Sequence, residues 1–298
     1  MPLWPFRKRA AASGLTINRN FYLSVLGGPG ALPTLLEVIN PDGSNEAVRG
    51  YGAPLMKGAS RDLLNKPLQR GSYALTTPEK KDVVRLDVFR RAEVKQFRLP
   101  DDPQMLGAAG LVGERLRRAE EAEHLLNLMF EGYSSEVYPA VQFMLDVARR
   151  LALLTEGLVA DPQAETYRLP DEMRAPGRMD PRIDFRDIGA VKLIRLKDGW
   201  WVSTRGLSKF NLAEYEMFGI GDDLRETAAK MVIAAAQQAL IGVPMKPGET
   251  AFAPDQPLEV VEGTREREQW GDRPALEFLD RGRSGASQGA DAWKRMGN

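Results

Sequence analysis

The order of strand-like and helix-like stretches after residue 82 is the feature that most constrains the fold of this chain. The run at 83–89 alternates apolar with polar side chains, as a half-buried strand does. The run at 135–156 instead repeats its apolar residues every three to four positions, as an amphipathic helix does. The predicted order is a strand (83–89), a helix (108–123), a strand (124–130), a helix (135–156), two short strands (158–161 and 165–169), a strand hairpin (191–204) and a helix (223–241). Continuation of the helix at 108–123 is the alternative for 124–130. This mixed order favours an α+β fold, with helices packed on one face of a mainly antiparallel sheet.

Two glycines mark where these elements turn or end. Lys197-Asp198-Gly199 joins the strand-like runs 191–196 and 200–204. An Asp-Gly pair is a strong hairpin signal because it tolerates the positive φ angles of a tight type I′ turn. Gly157 follows the helix predicted at 135–156, and its position is typical of the left-handed residue that ends a helix.

Composition divides the chain into three predicted parts. Residues 1–80 hold Gly/Pro turn signals such as Gly27-Gly28-Pro29-Gly30. The short apolar runs at 21–26 and 35–39 fit a strand or a helical turn equally well. We therefore expect an irregular, basic N-terminal region at 1–80, an α+β core domain at 81–256 and a polar, partly disordered C-terminal tail at 257–298.

Cysteine and histidine counts exclude several kinds of chemistry. Among the 298 residues there is no Cys and one His. Thiol nucleophiles, disulfides, Cys-held metals and His-pair zinc motifs are thereby excluded. No motif indicates a cofactor, and none of the residue patterns predicts a catalytic group. No run reaches the roughly 20 apolar residues of a membrane span, and the N-terminal charges stand in the wrong order for a secretory signal. These patterns predict a bacterial, cytoplasmic protein.

The chain has no net charge, but its N-terminal and C-terminal parts carry opposite net charges. Lys and Arg number 41, as do Asp and Glu. Residues 1–99 contain 16 basic and 8 acidic side chains, a net +8, whereas residues 100–298 contain 25 and 33, a net −8. Such asymmetry is consistent with docking of one part on the other, with self-association, or with a polyanionic partner.

The stretch 199–219 contains the strongest candidates for a binding surface. Trp200 and Trp201 are adjacent on a predicted strand, so their side chains must point to opposite faces. An exposed tryptophan near Arg205 and Lys209 would make a recognition surface. The alternative is that both indoles pack in the core or at a sheet edge. Trp293, in a charged segment near the C-terminus, is a further candidate for binding a protein partner.

The same stretch carries a family resemblance. The pattern W-V-x-T-x-G-L-x-x-F is formed here by Trp201, Val202, Thr204, Gly206, Leu207 and Phe210. It resembles uncharacterised bacterial proteins that share a domain of unknown function, and the likeness extends over roughly 120–250. The resemblance implies an α+β domain and assigns no catalytic residue. Many of those proteins have His where this chain has Arg205.

Two further clusters suggest alternative functions. The densest basic stretch resembles a phosphate-contacting surface, which would suit nucleic acid; it consists of Lys80, Lys81, Arg85, Arg90, Arg91, Lys95 and Arg98. The carboxylates Asp180, Asp184 and Asp187 offer hard oxygen ligands for a divalent metal. Interleaved arginines compete with a metal there, and a solvated loop is the simpler interpretation.

Together these patterns favour a non-catalytic protein that acts through protein–protein interaction, either with another protein or with a second copy of itself. A nucleic-acid-binding protein that uses the basic 80–98 region is one alternative. A divalent-metal-dependent hydrolase that uses the three aspartates is the other.

Overall fold

The computed structural model of the protein describes residues 15–40, 48–55, 64–94, 98–99, 101–133, 137–174, 183–252, 257–265 and 273–280. The chain divides into two compact units. The first unit comprises residues 18–181. The second comprises residues 1–17 together with 182–298.

A seven-stranded antiparallel sheet forms the centre of the first unit. Its strands are β1 (Tyr22–Gly27), β2 (Tyr51–Pro54), β3 (Gly71–Thr76), β4 (Val83–Arg90), β5 (His124–Gly132), β6 (Leu158–Asp161) and β7 (Thr166–Arg168). Their order across the sheet is β2-β3-β4-β5-β1-β6-β7. Strand β1 therefore lies inside the sheet, hydrogen-bonded to β5 and β6, although it comes from the Gly/Pro-rich N-terminal stretch.

Helices cover both faces of this sheet. They are α1 (Leu35–Ile39), α2 (Pro103–Ala108), α3 (Glu114–Glu121) and α4 (Val137–Leu154). On one face, Leu26 of β1 packs in a buried cluster with Leu158 of β6 and Ala119 of α3. Successive side chains of a strand point to opposite faces, so the buried Val25 lies on the other face, where α4 packs against β1 and β6.

The second unit contains a six-stranded sheet in the order β11-β12-β13-β10-β9-β8. Its strands are β8 (Ala190–Leu196), β9 (Gly199–Arg205), β10 (Glu214–Ile220), β11 (Thr250–Phe252), β12 (Pro257–Glu262) and β13 (Ala275–Asp280). Strands β10 and β13 run parallel, and the other neighbouring pairs are antiparallel. The short helix α5 (Phe185–Ile188) precedes β8, and α6 (Arg225–Leu240) packs across β9 and β10. Small side chains on α6, among them Ala228, Ala235 and Ala239, are fully buried and allow a close approach to the sheet.

The α+β class and the mainly antiparallel pairing are confirmed. So are the strand at 124–130, as β5, and the hairpin at 191–204, as β8 and β9. The structure differs from the expectation in having two sheets, the first with helices on both faces. The boundaries predicted at residues 80 and 256 fall inside the units, because β3 pairs with β4 across residue 80 and β11 pairs with β12 across residue 256.

Within the described residues, no helix combines the length and the apolar character needed to cross a membrane.

Candidate recognition site

Strand β9 separates its two tryptophans, as a strand must. Trp201 is fully buried, and its ring stacks on Phe218 of β10 with centroids 5.4 Å apart and planes within 8°. Trp200 stays half-buried on the opposite face. Of the pair, Trp200 is therefore the one available for contact with another molecule.

Four elements bring a polar cluster around Trp200. The indole N–H donates to Oδ1 of Asp222, which lies just after β10, at 2.7 Å. Arg195 of β8 donates to the same oxygen at 2.8 Å. The guanidinium carbons of Arg195 and Arg225 lie 5.4 and 4.8 Å from the indole centroid, and Arg225, the first residue of α6, also donates to the Asp222 carbonyl. We call these four residues the Trp200 site.

The electrostatics of the Trp200 site keep its groups charged and oriented. The hydrogen bond from Trp200, with the positive charges of Arg195 and Arg225, lowers the pKa of Asp222 below its usual value. Each guanidinium near the indole contributes about 0.5–1 kcal/mol of attraction at an exposed position. The side chains of Arg195 and Asp222 are 54% and 70% exposed, so both remain accessible from solvent.

The structure places the other predicted binding residues of this stretch inside the second unit. Arg205 is buried, with its guanidinium carbon 5.3 Å from the Trp201 ring centroid and NH1 donating to Oγ of Ser203 at 2.9 Å. Lys209 is fully buried, and its Nζ donates to the carbonyl of Ile188. These two cations and Trp201 hold the unit together rather than face a partner. Trp293 lies outside the described residues.

Glu214 organises the turn that contains the family-like motif. Its Oε1 accepts the backbone N–H groups of Gly206 at 2.8 Å and Ser208 at 3.1 Å. Its Oε2 accepts the hydroxyl of Thr204 at 2.8 Å, and that hydroxyl oxygen accepts the N–H of Tyr215. Gly206 has φ of 117°, a value that side-chain-bearing residues rarely adopt. The T-x-G part of the motif is therefore a scaffold for the buried Glu214 carboxylate.

Two more buried carboxylates lie opposite each other on the parallel strands β10 and β13. Glu216 pairs with Glu277 in the strand register, and both side chains are enclosed. Oε2 of Glu216 accepts the indole N–H of Trp201 at 3.1 Å. Burial raises the pKa of Glu277, and Arg265, 3.4 Å away, acts in the opposite direction. The hydrogen bond from Trp201 links β9 to β10, and the two carboxylates themselves are enclosed from solvent.

The buried acids Glu214, Glu216 and Glu277 were not among the residues predicted from the sequence, although a signal for the first two was available. In the run E-Y-E-M-F-G-I at 214–220, two acids alternate with apolar residues, which places both on the same face of a strand. Buried acids require donors, and the adjacent Thr, Trp and Gly residues supply them.

The predicted basic stretch is dispersed over the first sheet. Arg85 is paired with Asp87 at 2.9 Å and with Glu131 at 3.4 Å. Arg91 donates to main-chain carbonyls at the end of α3. The remaining described members are exposed at opposite ends of β4: Lys80 and Lys81 before it, Arg90 at its last residue and Arg98 beyond. Lys95 lies outside the described residues. Nine residues of extended chain lead from Lys81 to Arg90, so about 30 Å separates these two side-chain positions.

The acidic cluster is also divided. Asp180 lies outside the described residues. Asp184 is the N-cap of α5, where its side chain accepts the N–H of Arg186 at 2.9 Å. Among the residues that the structure describes, no group of three or more His, Cys, Asp or Glu side chains is placed to hold a metal ion, so Asp184 and Asp187 form no such group.

Comparison of the chain with protein-family models, with curated proteins and with solved structures finds no significant match.

Proposed function

We propose that this chain is a non-catalytic cytoplasmic protein whose activity is to bind another protein through the Trp200 site. The observation that carries the proposal is the fixed, half-buried indole of Trp200, with the guanidiniums of Arg195 and Arg225 beside it and Asp222 bonded to its N–H.

The composition of the site supports a protein partner. Tryptophan and arginine are the residue types that most often dominate the binding energy of protein interfaces. Here the indole presents apolar area, two arginines present donors and Asp222 presents an acceptor. Small ligands instead favour concave, mainly apolar pockets. Because the charged groups of Arg195 and Asp222 are more than half exposed, the site suits a partner that approaches from solvent.

Preorganisation gives the site a second advantage. The indole of Trp200 is held by its hydrogen bond to Asp222, and Asp222 is held in turn by Arg195. Side chains that are ordered before binding lose less conformational entropy in a complex, so more of the contact energy appears as affinity.

The resemblance over roughly 120–250 fits this proposal, since it implies a domain without assigned catalytic residues. The groups in that stretch that look most like a catalytic constellation, namely Arg205, Lys209 and Glu214, act as internal supports. The other functions predicted from the sequence have less support. The basic 80–98 stretch is dispersed, and Asp184 caps a helix.

Affinity capture tests the proposal. The wild-type chain, Trp200→Ala and Arg225→Ala would each be immobilised and exposed to the same extract of the source cells, and bound proteins would be quantified by mass spectrometry. Tyr133→Ala and Arg117→Ala, an exposed aromatic and an exposed paired arginine in the first unit, are the controls.

We expect at least one protein that the wild type and both controls retain and that both Trp200-site variants lose at least tenfold. Identical protein sets on all five columns, or no protein above the blank, would contradict the proposal.

A further inference from the structure

A row of polar side chains crosses the centre of the seven-stranded sheet of the first unit. Its four residues occupy directly paired positions on neighbouring strands, so they share one face of the sheet. Three of them lie on β4, β5 and β1, which are the three central strands. We call this set the Asn127 row; it consists of Ser72 of β3, Asp87 of β4, Asn127 of β5 and Ser24 of β1.

The opposite face of the same strands is apolar. Its side chains, such as Leu86, Leu128 and Val25, are fully buried on the side of the sheet where α4 packs. A sheet that needed only a core on both faces would carry apolar side chains at the row as well, because burying a polar group costs free energy unless it is hydrogen-bonded. The polar residues at the centre of the sheet therefore point to a role other than packing.

The Asn127 row lies at the edge of the helical cover on its own face. In one direction along the strands, the next residues on this face pack with residues of α3; they are Leu26, Leu125 and Phe89. In the other direction, the next residues are half-buried and keep access to solvent; they are Tyr22, Met129 and Arg85. A small molecule can therefore approach the row from this second side.

The hydrogen bonds within the row leave one donor group and one acceptor unused. The hydroxyl of Ser24 donates to Oδ1 of Asn127 at 2.7 Å. Oδ1 of Asp87 accepts the hydroxyl of Ser72 and also Nε of Arg85, the latter at 2.9 Å. Among the described residues, the amide NH₂ of Asn127 and Oδ2 of Asp87 have no hydrogen-bond partner. These two groups belong to directly opposed residues, whose Cβ atoms lie about 4.5–5.5 Å apart in an antiparallel pair.

We infer that the Asn127 row binds an uncharged ligand through a vicinal diol. A hydroxyl group both donates and accepts, so one hydroxyl of the diol can donate to Oδ2 of Asp87 while the oxygen of its neighbour accepts from the amide of Asn127. A peptide group suits the pair less well, because its N–H and C=O point in opposite directions in the trans form. The charges of Arg85 and Asp87 offset each other across 2.9 Å, which favours a ligand without net charge.

Two tyrosines beside the row suit the carbon skeleton of such a ligand. Tyr22 stands two residues before Ser24 on the same face, and Tyr167 is opposite Ala160, which is itself opposite Ser24. Both tyrosines are half-buried. A tyrosine ring is an apolar surface with a polar tip, so it can cover the C–H groups of a sugar ring. Vicinal diols on such rings occur in free sugars and in the ribose of nucleosides.

Saturation-transfer difference NMR with the full chain tests this inference and separates the two sources of the diol. The probes are methyl α-D-mannopyranoside, adenosine and 2′-deoxyadenosine, each titrated to about 10 mM. We expect binding of the mannoside, of adenosine or of both, according to which ring the site accepts. Because 2′-deoxyadenosine lacks one hydroxyl of the diol, it should bind at least about tenfold more weakly than adenosine where adenosine binds.

Asn127→Ala and Asn127→Leu remove the amide donors, and each should weaken binding about tenfold. Gln238→Ala removes an exposed amide of the second unit and is the matched control. Trp200→Ala should also bind the probes as the wild type does, which separates this site from the proposed partner site. Circular dichroism verifies that each variant is folded.

Failure of all three probes to bind the wild type at the highest concentration would overturn the inference. Equal binding of adenosine and 2′-deoxyadenosine would overturn it too, as would unchanged binding by a folded Asn127 variant.

Discussion

Removal of the Glu214 carboxylate should strongly destabilise the second unit. In Glu214→Ala, three donors lose their acceptor: the N–H groups of Gly206 and Ser208 and the hydroxyl of Thr204. Each buried donor without a partner costs about 1–3 kcal/mol. Because Ser208 is only half-buried, water can satisfy part of its loss, and we expect a decrease of about 3–5 kcal/mol in the free energy of unfolding. Glu214→Gln retains one oxygen for the two amides, and its cost should be about 1–2 kcal/mol.

Urea unfolding followed by tryptophan fluorescence measures this effect in the appropriate unit. Trp200 and Trp201 belong to β9 of the second unit, and the range of the first unit, residues 18–181, contains no tryptophan, so a change in tryptophan emission reports on the second unit. Glu226→Ala, at an exposed position on α6, is the control and should change stability by no more than about 1 kcal/mol. A double-mutant cycle with Thr204→Val should give a coupling energy above about 0.5 kcal/mol. A loss of unfolding free energy below about 1 kcal/mol in Glu214→Ala, or one no larger than in Glu226→Ala, would contradict this prediction.

Two other predictions concern backbone strain and pH. Gly199 has φ of 129°, and an added Cβ would lie 2.9 Å from the backbone of β10, whereas Gly248 has φ of 88° with open space around it. Gly199→Ala should therefore lower the stability of the second unit more than Gly248→Ala does. The midpoints of urea unfolding of the two variants test this. Burial raises the pKa of Asp146 to about 6, so between pH 4 and pH 6 the folded state binds a proton that the unfolded state releases. Stability of the first unit should therefore fall as pH rises through this window, by at most about 3 kcal/mol. In thermal melts across this pH range, the stability of Asp146→Asn should depend less on pH than that of the wild type. Asp101→Asn, at an exposed position, is the control. An equal pH dependence in the two variants would contradict the raised pKa of Asp146.

Residue patterns predicted individual strands and helices well because the spacing of apolar residues within a segment favours one or the other. The alternation at 83–89 became β4, and the three-to-four spacing at 135–156 became α4. Details at the ends of elements depended on neighbours. Gly157 was expected to be the left-handed residue after α4, but Glu156 has the positive φ, of 48°. Gly157 is instead required by close packing, because a Cβ there would lie 2.1 Å from the carbonyl oxygen of Leu26.

The hairpin of β8 and β9 depends both on residues in its own turn and on packing against a more distant strand. It formed where the Asp-Gly signal placed it, with Lys197 and Asp198 in the turn. The positive φ is at Gly199, the first residue of β9. That glycine also lies against Gly219 and Ile220 of β10, a strand whose position no local pattern reveals.

Long-range pairing was the part that the sequence could not supply. Strand β1 lies between β5 and β6, about 100 or more residues away along the chain, and β13 pairs in parallel with β10. For this reason residues 1–80 and 257–298 were expected to be irregular or polar, although they contribute strands to both sheets. Of the residues predicted to bind a partner in this stretch, only Trp200 belongs to the Trp200 site. Arg205 and Lys209 are buried by tertiary contacts with residues such as Ser203 and Ile188, which no local pattern reveals.

The most direct test of the proposed function is the affinity of the captured protein for the purified chain, measured by isothermal titration calorimetry. If the Trp200 site carries the binding energy, Trp200→Ala should raise the dissociation constant about 30-fold or more. This corresponds to a loss of about 2 kcal/mol or more of binding free energy, as at an interface hot spot. Tyr133→Ala should bind as the wild type does. A Trp200→Ala protein that is folded and binds within threefold of the wild type would contradict the account.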